Sequence, residues 1–187
     1  MLIIGDSLIR HIKKPLTTPI ENVETHVKSI GGCTVDRLLS LIKSGHLQSL
    51  FDNQKHLVLM IGTNSLAREK SEIVIEKFEK LLNMIRKTYS VVRTIGVCTV
   101  PDRSKSSVYY RSRGDDGGKS IRKRIQNYNR KLKRLEKNQS INQRFTIIPI
   151  DFDLTVHVVK DGLHPNRQGV DLISNAIQIY VDTLKNI

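Results

Sequence analysis

The stretch Leu2-Ile3-Ile4-Gly5-Asp6-Ser7-Leu8 begins with a short apolar run that passes directly into a turn sequence. Similar apolar runs recur along the 187-residue chain at positions 23–27, 57–61, 95–100 and 145–150. Segments with helical periodicity separate these runs, and such alternation is typical of a parallel sheet wrapped by helices. We therefore predict one α/β domain over residues 1–187, a three-layer sandwich around a central five-stranded parallel sheet.

Three segments carry apolar side chains at steps of three and four, which places each set on one helix face. The three sets are Val74, Phe78, Leu81 and Ile85; Ile121, Ile125, Tyr128, Leu132 and Leu135; and Val170, Ile173, Ile177, Tyr180 and Leu184. Pro165 and Asn166 are typical of the start of the last helix. The polar, Gly-rich residues 102–120 predict a mobile loop that borders the ligand crevice.

The composition argues against several classes of protein. Two cysteines are too few for a disulfide scaffold, and no apolar run reaches the roughly 18 residues of a membrane span. No basic leader with a cleavage site precedes the first strand, so the sequence predicts an intracellular, cytoplasmic protein. The histidines lack the spacing of metal ligands, and we predict neither a metal nor a cofactor. No motif predicts an oligomeric state.

Positive charge is concentrated in one segment of the chain. The net charge is +13, from 31 Lys and Arg against 18 Asp and Glu, and residues 103–137 alone contribute +10. This basic loop and helix, at about 102–138, is either a solvated surface or a site for a polyanion such as RNA or an anionic lipid surface. The candidate polyanion-binding residues are Arg111, Arg113, Lys119, Arg122, Lys123, Arg124, Arg130 and Lys131.

Ser7 lies where a nucleophile is expected, in the turn after the first strand. A serine hydroxyl needs a base to accept its proton, and a histidine base needs a partner that orients its ring. Asp161-Gly-Leu-His164, just ahead of the last predicted helix, supplies both groups. Ser7, His164 and Asp161 are therefore the candidate catalytic residues.

Acyl transfer also needs hydrogen-bond donors for the oxyanion that develops. Gly32 follows the second predicted strand and can offer a backbone N–H, while Asn64 follows the third and can offer its amide. Each of these short motifs is common by itself, but their order along the chain favours a joint function.

These segments resemble the four sequence blocks of the SGNH hydrolases, the GDSL esterase and lipase superfamily. The resemblance implies a flavodoxin-like α/β fold, a Ser7-His164-Asp161 triad, and an oxyanion hole formed by the Ser7 N–H, Gly32 and Asn64. It implies a serine esterase that acts on acyl esters, of short-chain or acetyl type, without a cofactor. One departure is Ser65, which stands where the family's third block usually has Asp.

Narrower interpretations stay open at this point. In size and charge the chain is similar to the esterase domain in the first open reading frame of some non-long-terminal-repeat retrotransposons, and the early first strand is consistent with a domain of a longer protein. Some family members act on acetylated carbohydrates. The principal alternative is a non-enzymatic RNA-binding module built on the same fold.

Overall fold

The computed structural model of the protein describes residues 1–12, 24–103, 119–138 and 144–184. Within these ranges a single sheet contains five parallel strands in the order β2-β1-β3-β4-β5. The strands are β1 (Leu2–Gly5), β2 (His26–Ser29), β3 (His56–Met60), β4 (Thr94–Cys98) and β5 (Thr146–Ile148). This is the strand order of flavodoxin-like folds, and it confirms the predicted sheet.

Helices cover both faces of this sheet. In the described ranges they are α1 (Val35–Lys43), α2 (Gln48–Phe51), α3 (Thr63–Leu66), α4 (Ser71–Thr88), α5 (Lys119–Lys137) and α6 (Arg167–Thr183), and a 3-10 turn spans Ser7–Ile9. None of the helices in the described ranges combines the length and apolarity needed to cross a bilayer.

The two sheet faces are buried in separate clusters because successive strand side chains point to opposite sides. Leu2 and Ile4 of β1 pack with apolar residues of α1, α4 and α5. Ile3, between them, packs on the other face with the 3-10 turn and α6. The predicted three-layer sandwich is therefore confirmed.

Gly5 permits the close pairing of β1 with β3. The register places Gly5 opposite Met60, and a Cβ atom at Gly5 would lie 2.1 Å from the Met60 carbonyl oxygen. No other residue fits here without a backbone shift. β1 ends at Gly5, and Asp6 and Ser7 follow it at the carboxyl edge of the sheet.

The second strand differs most from its predicted position at 23–27. It spans His26–Ser29, and its register pairs His26 with Leu2 and Ser29 with Gly5. Because β2 is an edge strand with an exposed flank, its pairing with β1 determines its bounds, and its own hydrophobicity does not. Residue 23 lies outside the described residues.

The predicted loop at 102–120 ends two residues early, since Lys119 and Ser120 already belong to α5. Residues 104–118 lie outside the described ranges. At the start of the segment, the Asn129 side chain of α5 accepts from the Val100 N–H at 3.0 Å and donates to the Val100 carbonyl at 2.8 Å. This pair of hydrogen bonds ties the exit of β4 to α5.

Candidate active site

The candidate site lies at the carboxyl edge of the parallel sheet, where loops from separate strands meet. Ser7 follows β1, Gly32 follows β2, and Asn64 follows β3. Asp161 and His164 come from the loop that leads into α6. The structure brings all five predicted site residues together around one cavity.

Ser7, His164 and Asp161 form a continuous hydrogen-bonded chain. The Ser7 Oγ lies 2.9 Å from His164 Nε2, and His164 Nδ1 lies 2.6 Å from Asp161 Oδ2. Ser7 is 9% exposed, whereas the His164 and Asp161 side chains are about 40% and 38% exposed. A proton can therefore pass from the serine hydroxyl to the ring while the carboxylate holds the opposite nitrogen.

The Asp161 carboxylate also organises its own loop. Its Oδ1 accepts the backbone N–H groups of Leu163 at 2.8 Å and His164 at 2.9 Å. Partial burial raises the pKa of Asp161, but the hydrogen bonds from His164 and Leu163 outweigh burial and hold the pKa below its usual value. Asp161 is therefore ionised near neutral pH.

The backbone at Val158 and Val159 pairs with the backbone at His164 and Pro165. The Val159 N–H donates to the His164 carbonyl at 2.9 Å, and Val158 forms an antiparallel bridge with Pro165. Asn166 then caps α6, because its side chain accepts from the Gly169 N–H at 3.0 Å. The helix start predicted at Pro165 and Asn166 is confirmed.

The candidate oxyanion donors, two backbone N–H groups and one amide, belong to residues that line one cavity. Gly32 has φ +64°, a left-handed conformation that favours glycine. Neither its N–H nor that of Ser7 donates to another group in the described ranges. The Asn64 Nδ2 donates one hydrogen to the Cys33 carbonyl at 3.2 Å, which leaves its second hydrogen for a ligand.

These groups open into a cavity of about 440 Å³. Its lining comprises Ser7, Arg10, Gly31, Gly32, Asn64, Asp161, Leu163 and His164. Arg10 and Leu163 were absent from the predicted site, although Leu163 lies inside the Asp-Gly-Leu-His motif and Arg10 one turn after Ser7. They add one cation and one apolar wall to the space in front of the serine.

Ser65, the departure from the family pattern, joins two parts of the site. Its buried Oγ accepts the Val35 N–H at 3.0 Å. Val35 begins α1, directly after the Gly32 loop, and Ser65 adjoins Asn64 in α3. The Ser65 bond and the Asn64–Cys33 bond therefore hold the two segments that carry the candidate oxyanion donors.

Asp6 is a buried acid that the sequence analysis did not single out. It is fully buried, and its Oδ1 accepts the Leu8 N–H at 3.0 Å, whereas Oδ2 has no hydrogen-bond partner among the described residues. Burial raises the pKa of Asp6 to about 7, against the Leu8 N–H and the charges of Arg103 and His164, which lower it. Asp6 thus places a titratable group next to Ser7.

Arg103 is also fully buried, although its sequence context places it in the basic segment. Its guanidinium donates to the Thr63 Oγ1 from Nε at 3.1 Å and from one terminal nitrogen at 2.8 Å. Thr63 precedes Asn64 in α3. This arginine is a support for the Asn64 loop and is not available to a polyanion.

The remaining predicted basic residues differ in their availability. Arg122 pairs with Asp102 at 2.7 Å, Lys131 with Glu72 at 3.4 Å, and Arg124 donates to the Glu69 carbonyl at 3.4 Å. Lys123 and Arg130 are exposed. Arg111, Arg113 and the side chain of Lys119 lie outside the described residues.

Both cysteines are buried and free. Burial raises the pKa of Cys33 to about 11 and also raises the pKa of Cys98. Neither thiol is therefore ionised near neutral pH, which argues against a cysteine nucleophile beside Gly32.

No family model matches the sequence, and no curated protein does. Many solved structures, however, share its fold. A carbohydrate esterase family 3 protein from Talaromyces cellulolyticus superposes with a TM-score of 0.68 at 14% identity, covering 100% of both chains. A lipolytic protein of the G-D-S-L family from Veillonella parvula gives 0.64 at 17% identity, covering 94% of this chain and 93% of that one.

A GDSL-like lipase from Bacteroides thetaiotaomicron gives a TM-score of 0.68 at 14% identity, over 98% of this chain and 87% of that chain. Identities this low establish fold and nothing finer. The chain therefore has the α/β fold of GDSL-type lipolytic hydrolases and carbohydrate esterases.

Proposed function

We propose that the protein is a serine esterase that hydrolyses acyl esters of carboxylic acids. The observation that carries this proposal is the hydrogen-bonded chain from Ser7 through His164 to Asp161, which opens into a cavity lined by Gly32 and Asn64. The fold shared with esterases and lipases supports the same conclusion.

In the proposed cycle, His164 removes the proton of the Ser7 hydroxyl as Oγ attacks the ester carbonyl carbon. Asp161 stabilises the imidazolium and keeps the ring in the required tautomer. The N–H groups of Ser7 and Gly32 and the Asn64 amide stabilise the oxyanion. His164 then protonates the leaving alcohol, and afterwards it activates the water that releases the acyl group from Ser7.

The size of the cavity favours small substrates. About 440 Å³ lies near the lower end of the range for ligand pockets, and part of this space must hold the alcohol as well as the acyl group. We propose acetyl and other short acyl esters, with acetylated carbohydrates as one candidate class, because one structure of the same fold is a carbohydrate esterase. The resemblance to retrotransposon esterase domains stays a prediction.

The first test is hydrolysis of p-nitrophenyl acetate, butyrate and octanoate by the wild type and Ser7→Ala. We expect Ser7→Ala to lower kcat/KM by roughly 10⁴-fold or more, because the nucleophile is lost. Ser40→Ala, which removes an exposed hydroxyl on α1, is the matched control and should retain wild-type activity. Full activity in Ser7→Ala would refute the assignment of the nucleophile.

Asp161→Asn tests the orientation of the histidine separately. An asparagine Oδ1 can still accept the Leu163 and His164 backbone N–H groups, so the loop should keep its shape. Its amide would donate towards His164 Nδ1 and force the wrong tautomer, which costs on the order of 10⁴-fold in kcat in serine proteases. An unchanged kcat would exclude the proposed role of Asp161.

The non-enzymatic alternative predicts a different result in the same experiment. If the wild type hydrolyses none of the nitrophenyl esters and no acetylated sugar, the site residues belong to the fold without catalysing ester hydrolysis. The protein then acts by binding. The exposed cations of α5 keep this alternative open, and their own ligand is considered next.

A further inference from the structure

The outer surface of α5 carries a line of exposed cations. Helical geometry places Lys123, Arg130, Lys133, Arg134 and Lys137 on the side opposite the apolar stripe, and all five are exposed. We call these five residues the α5 cationic face. From Lys123 to Lys137 the helix rises about 21 Å, at 1.5 Å per residue.

No acid of α5 interrupts this face. The helix contains one acidic residue, Glu136, and its carboxylate accepts the Ile147 N–H at 2.7 Å. Two acids that adjoin α5 pair with basic residues outside the face, Glu72 with Lys131 and Asp102 with Arg122. The five cations of the face form no ion pair within the described ranges, so they present an unneutralised row of charge.

The composition of the face argues against a membrane as the partner. A helix that lies on a bilayer inserts its apolar side, but Ile121, Ile125, Tyr128 and Leu132 are at most 2% exposed and pack in the core. Among the described residues, the large exposed apolar side chains all lie outside α5. The α5 cationic face can therefore offer charge to a membrane but no apolar anchor.

Single-stranded nucleic acid is also a poor match. Proteins that bind single strands stack the bases on exposed aromatic rings, whereas the aromatic residue of α5, Tyr128, is fully buried. A row of cations on a helix that exposes no aromatic ring matches the phosphate backbone of a nucleic-acid duplex.

We propose that the α5 cationic face binds duplex RNA through its phosphates. Because α5 is half embedded in the domain, only a ridge is accessible, and such a ridge suits the wide, shallow minor groove of A-form RNA better than the major groove of DNA, which takes up a protruding helix. Exposed Gln126 lies within the same ridge and can hydrogen-bond to a 2′-hydroxyl. The binding is independent of base sequence and of ester hydrolysis.

The test compares two variants of equal net charge. The face variant carries Lys123→Gln, Arg130→Gln and Arg134→Gln, and the control carries Lys43→Gln, Lys55→Gln and Arg93→Gln, three exposed cations outside α5. Each variant loses three charges from the +13 of the wild type. Fluorescence anisotropy with a labelled 20-bp RNA duplex measures the dissociation constant from 50 to 300 mM salt.

We expect the face variant to flatten the slope of log Kd against log salt by about 2 to 3 units, since each lost phosphate contact removes about 0.7 to 0.9. The control variant should keep the wild-type slope, and the single changes Arg130→Gln and Arg134→Gln should each remove about one unit. Thermal melts of all the proteins check that the fold is intact.

Four results would overturn the proposal. Equal weakening in both triple variants would mean that net charge alone acts. Tighter binding to a single strand of the same sequence, or binding to duplex DNA at least as tight as to duplex RNA, would exclude duplex RNA as the ligand. Binding to vesicles of anionic lipid that the face variant loses while it keeps RNA would assign the face to a membrane.

Discussion

At the scale of single residues, Asp6 has the least ordinary chemistry in the molecule. The side chain follows β1, is fully buried, and leaves Oδ2 without a hydrogen-bond partner among the described residues. Burial raises its pKa to about 7 from the usual 3.8. The group is therefore neutral in the folded protein at a pH at which it is ionised in the unfolded chain.

This difference predicts how stability changes with pH. Between pH 4 and 7 the folded state binds more protons than the unfolded state, so the free energy of unfolding falls as pH rises through this interval and levels off above it. The shift of the Asp6 pKa corresponds to a contribution on the order of 4 kcal/mol to the free energy of unfolding. This contribution is fully present below pH 4 and is lost by about pH 7. Asp6→Asn keeps the acceptor for the Leu8 N–H and should abolish this contribution.

The measurement is denaturant unfolding of both proteins at pH 4.5 and 8. The free energy of unfolding of Asp6→Asn minus that of the wild type should be larger at pH 8 than at pH 4.5. Asp171→Asn, an exposed carboxylate on α6, serves as the control and should track the wild type. Parallel stability curves for Asp6→Asn and the wild type would mean that Asp6 titrates normally.

Residue-level chemistry was only partly predictable. Ser7, Asp161 and His164 could be singled out as candidates because the proposed roles depend on residue type and on position after a strand or before a helix. Arg103 could not, because its burial depends on Thr63, which lies 40 residues away in sequence. Local composition placed Arg103 in the basic segment, and only packing shows that its side chain is buried against Thr63.

At the scale of elements, the start of α1 and the short helix α3 act as one unit. Ser65 in α3 accepts the Val35 N–H, while the α1 cap residue Thr34 accepts the Arg37 N–H at 3.2 Å on the exposed side. The first bond is buried and joins two site loops, whereas the second is local to α1. The two hydroxyls therefore offer a matched comparison.

We expect Ser65→Ala to cost about 1–3 kcal/mol of stability, because it leaves the buried Val35 N–H unsatisfied. Thr34→Ala should cost about 1 kcal/mol, as is typical for the loss of a helix cap. Ser65→Ala should also lower kcat for ester hydrolysis more than Thr34→Ala does. Equal kcat values in the two variants would show that the α1–α3 connection does not position Gly32 and Asn64.

Elements were predicted best where periodicity was long. The stripes of α4, α5 and α6 identified helices of 17 to 19 residues, and all three are present. α1 was not predicted, although Val35, Leu38 and Ile42 have helical spacing, because nine residues carry too few turns for a distinct pattern. β2 shifted because its bounds depend on its neighbour β1.

At the scale of the whole molecule, the basic helix belongs to the same core as the sheet. Leu132 and Tyr128 of α5 are fully buried in the same cluster as Phe78 of α4. The Phe78 and Tyr128 rings pack edge to face, with their centroids 6.3 Å apart. The α5 cationic face is therefore the outer side of a structural helix and not a separate basic appendage. Removing a buried side chain from the inner side of α5 should therefore destabilise the whole domain.

Leu132→Ala should destabilise the domain by about 2–4 kcal/mol, the usual cost of removing a buried leucine. For a chain of this size the melting temperature should fall by roughly 5–12 °C. Arg130→Ala, on the exposed side of the same helix, should shift it by about 1 °C or less. Melting followed by circular dichroism would contradict a shared core if Leu132→Ala left the temperature unchanged.

By itself, the sequence determined the class of fold and the identity of the candidate site residues, since apolar periodicity specifies strands and helices and the order of the short motifs assigns the chemistry. The tertiary structure decided which charged groups are buried or paired and which are exposed. Desolvation and pairing depend on segments that are distant in sequence, so the raised pKa of Asp6, the burial of Arg103 and the ion pairs of Arg122 and Lys131 emerge only when the chain is packed.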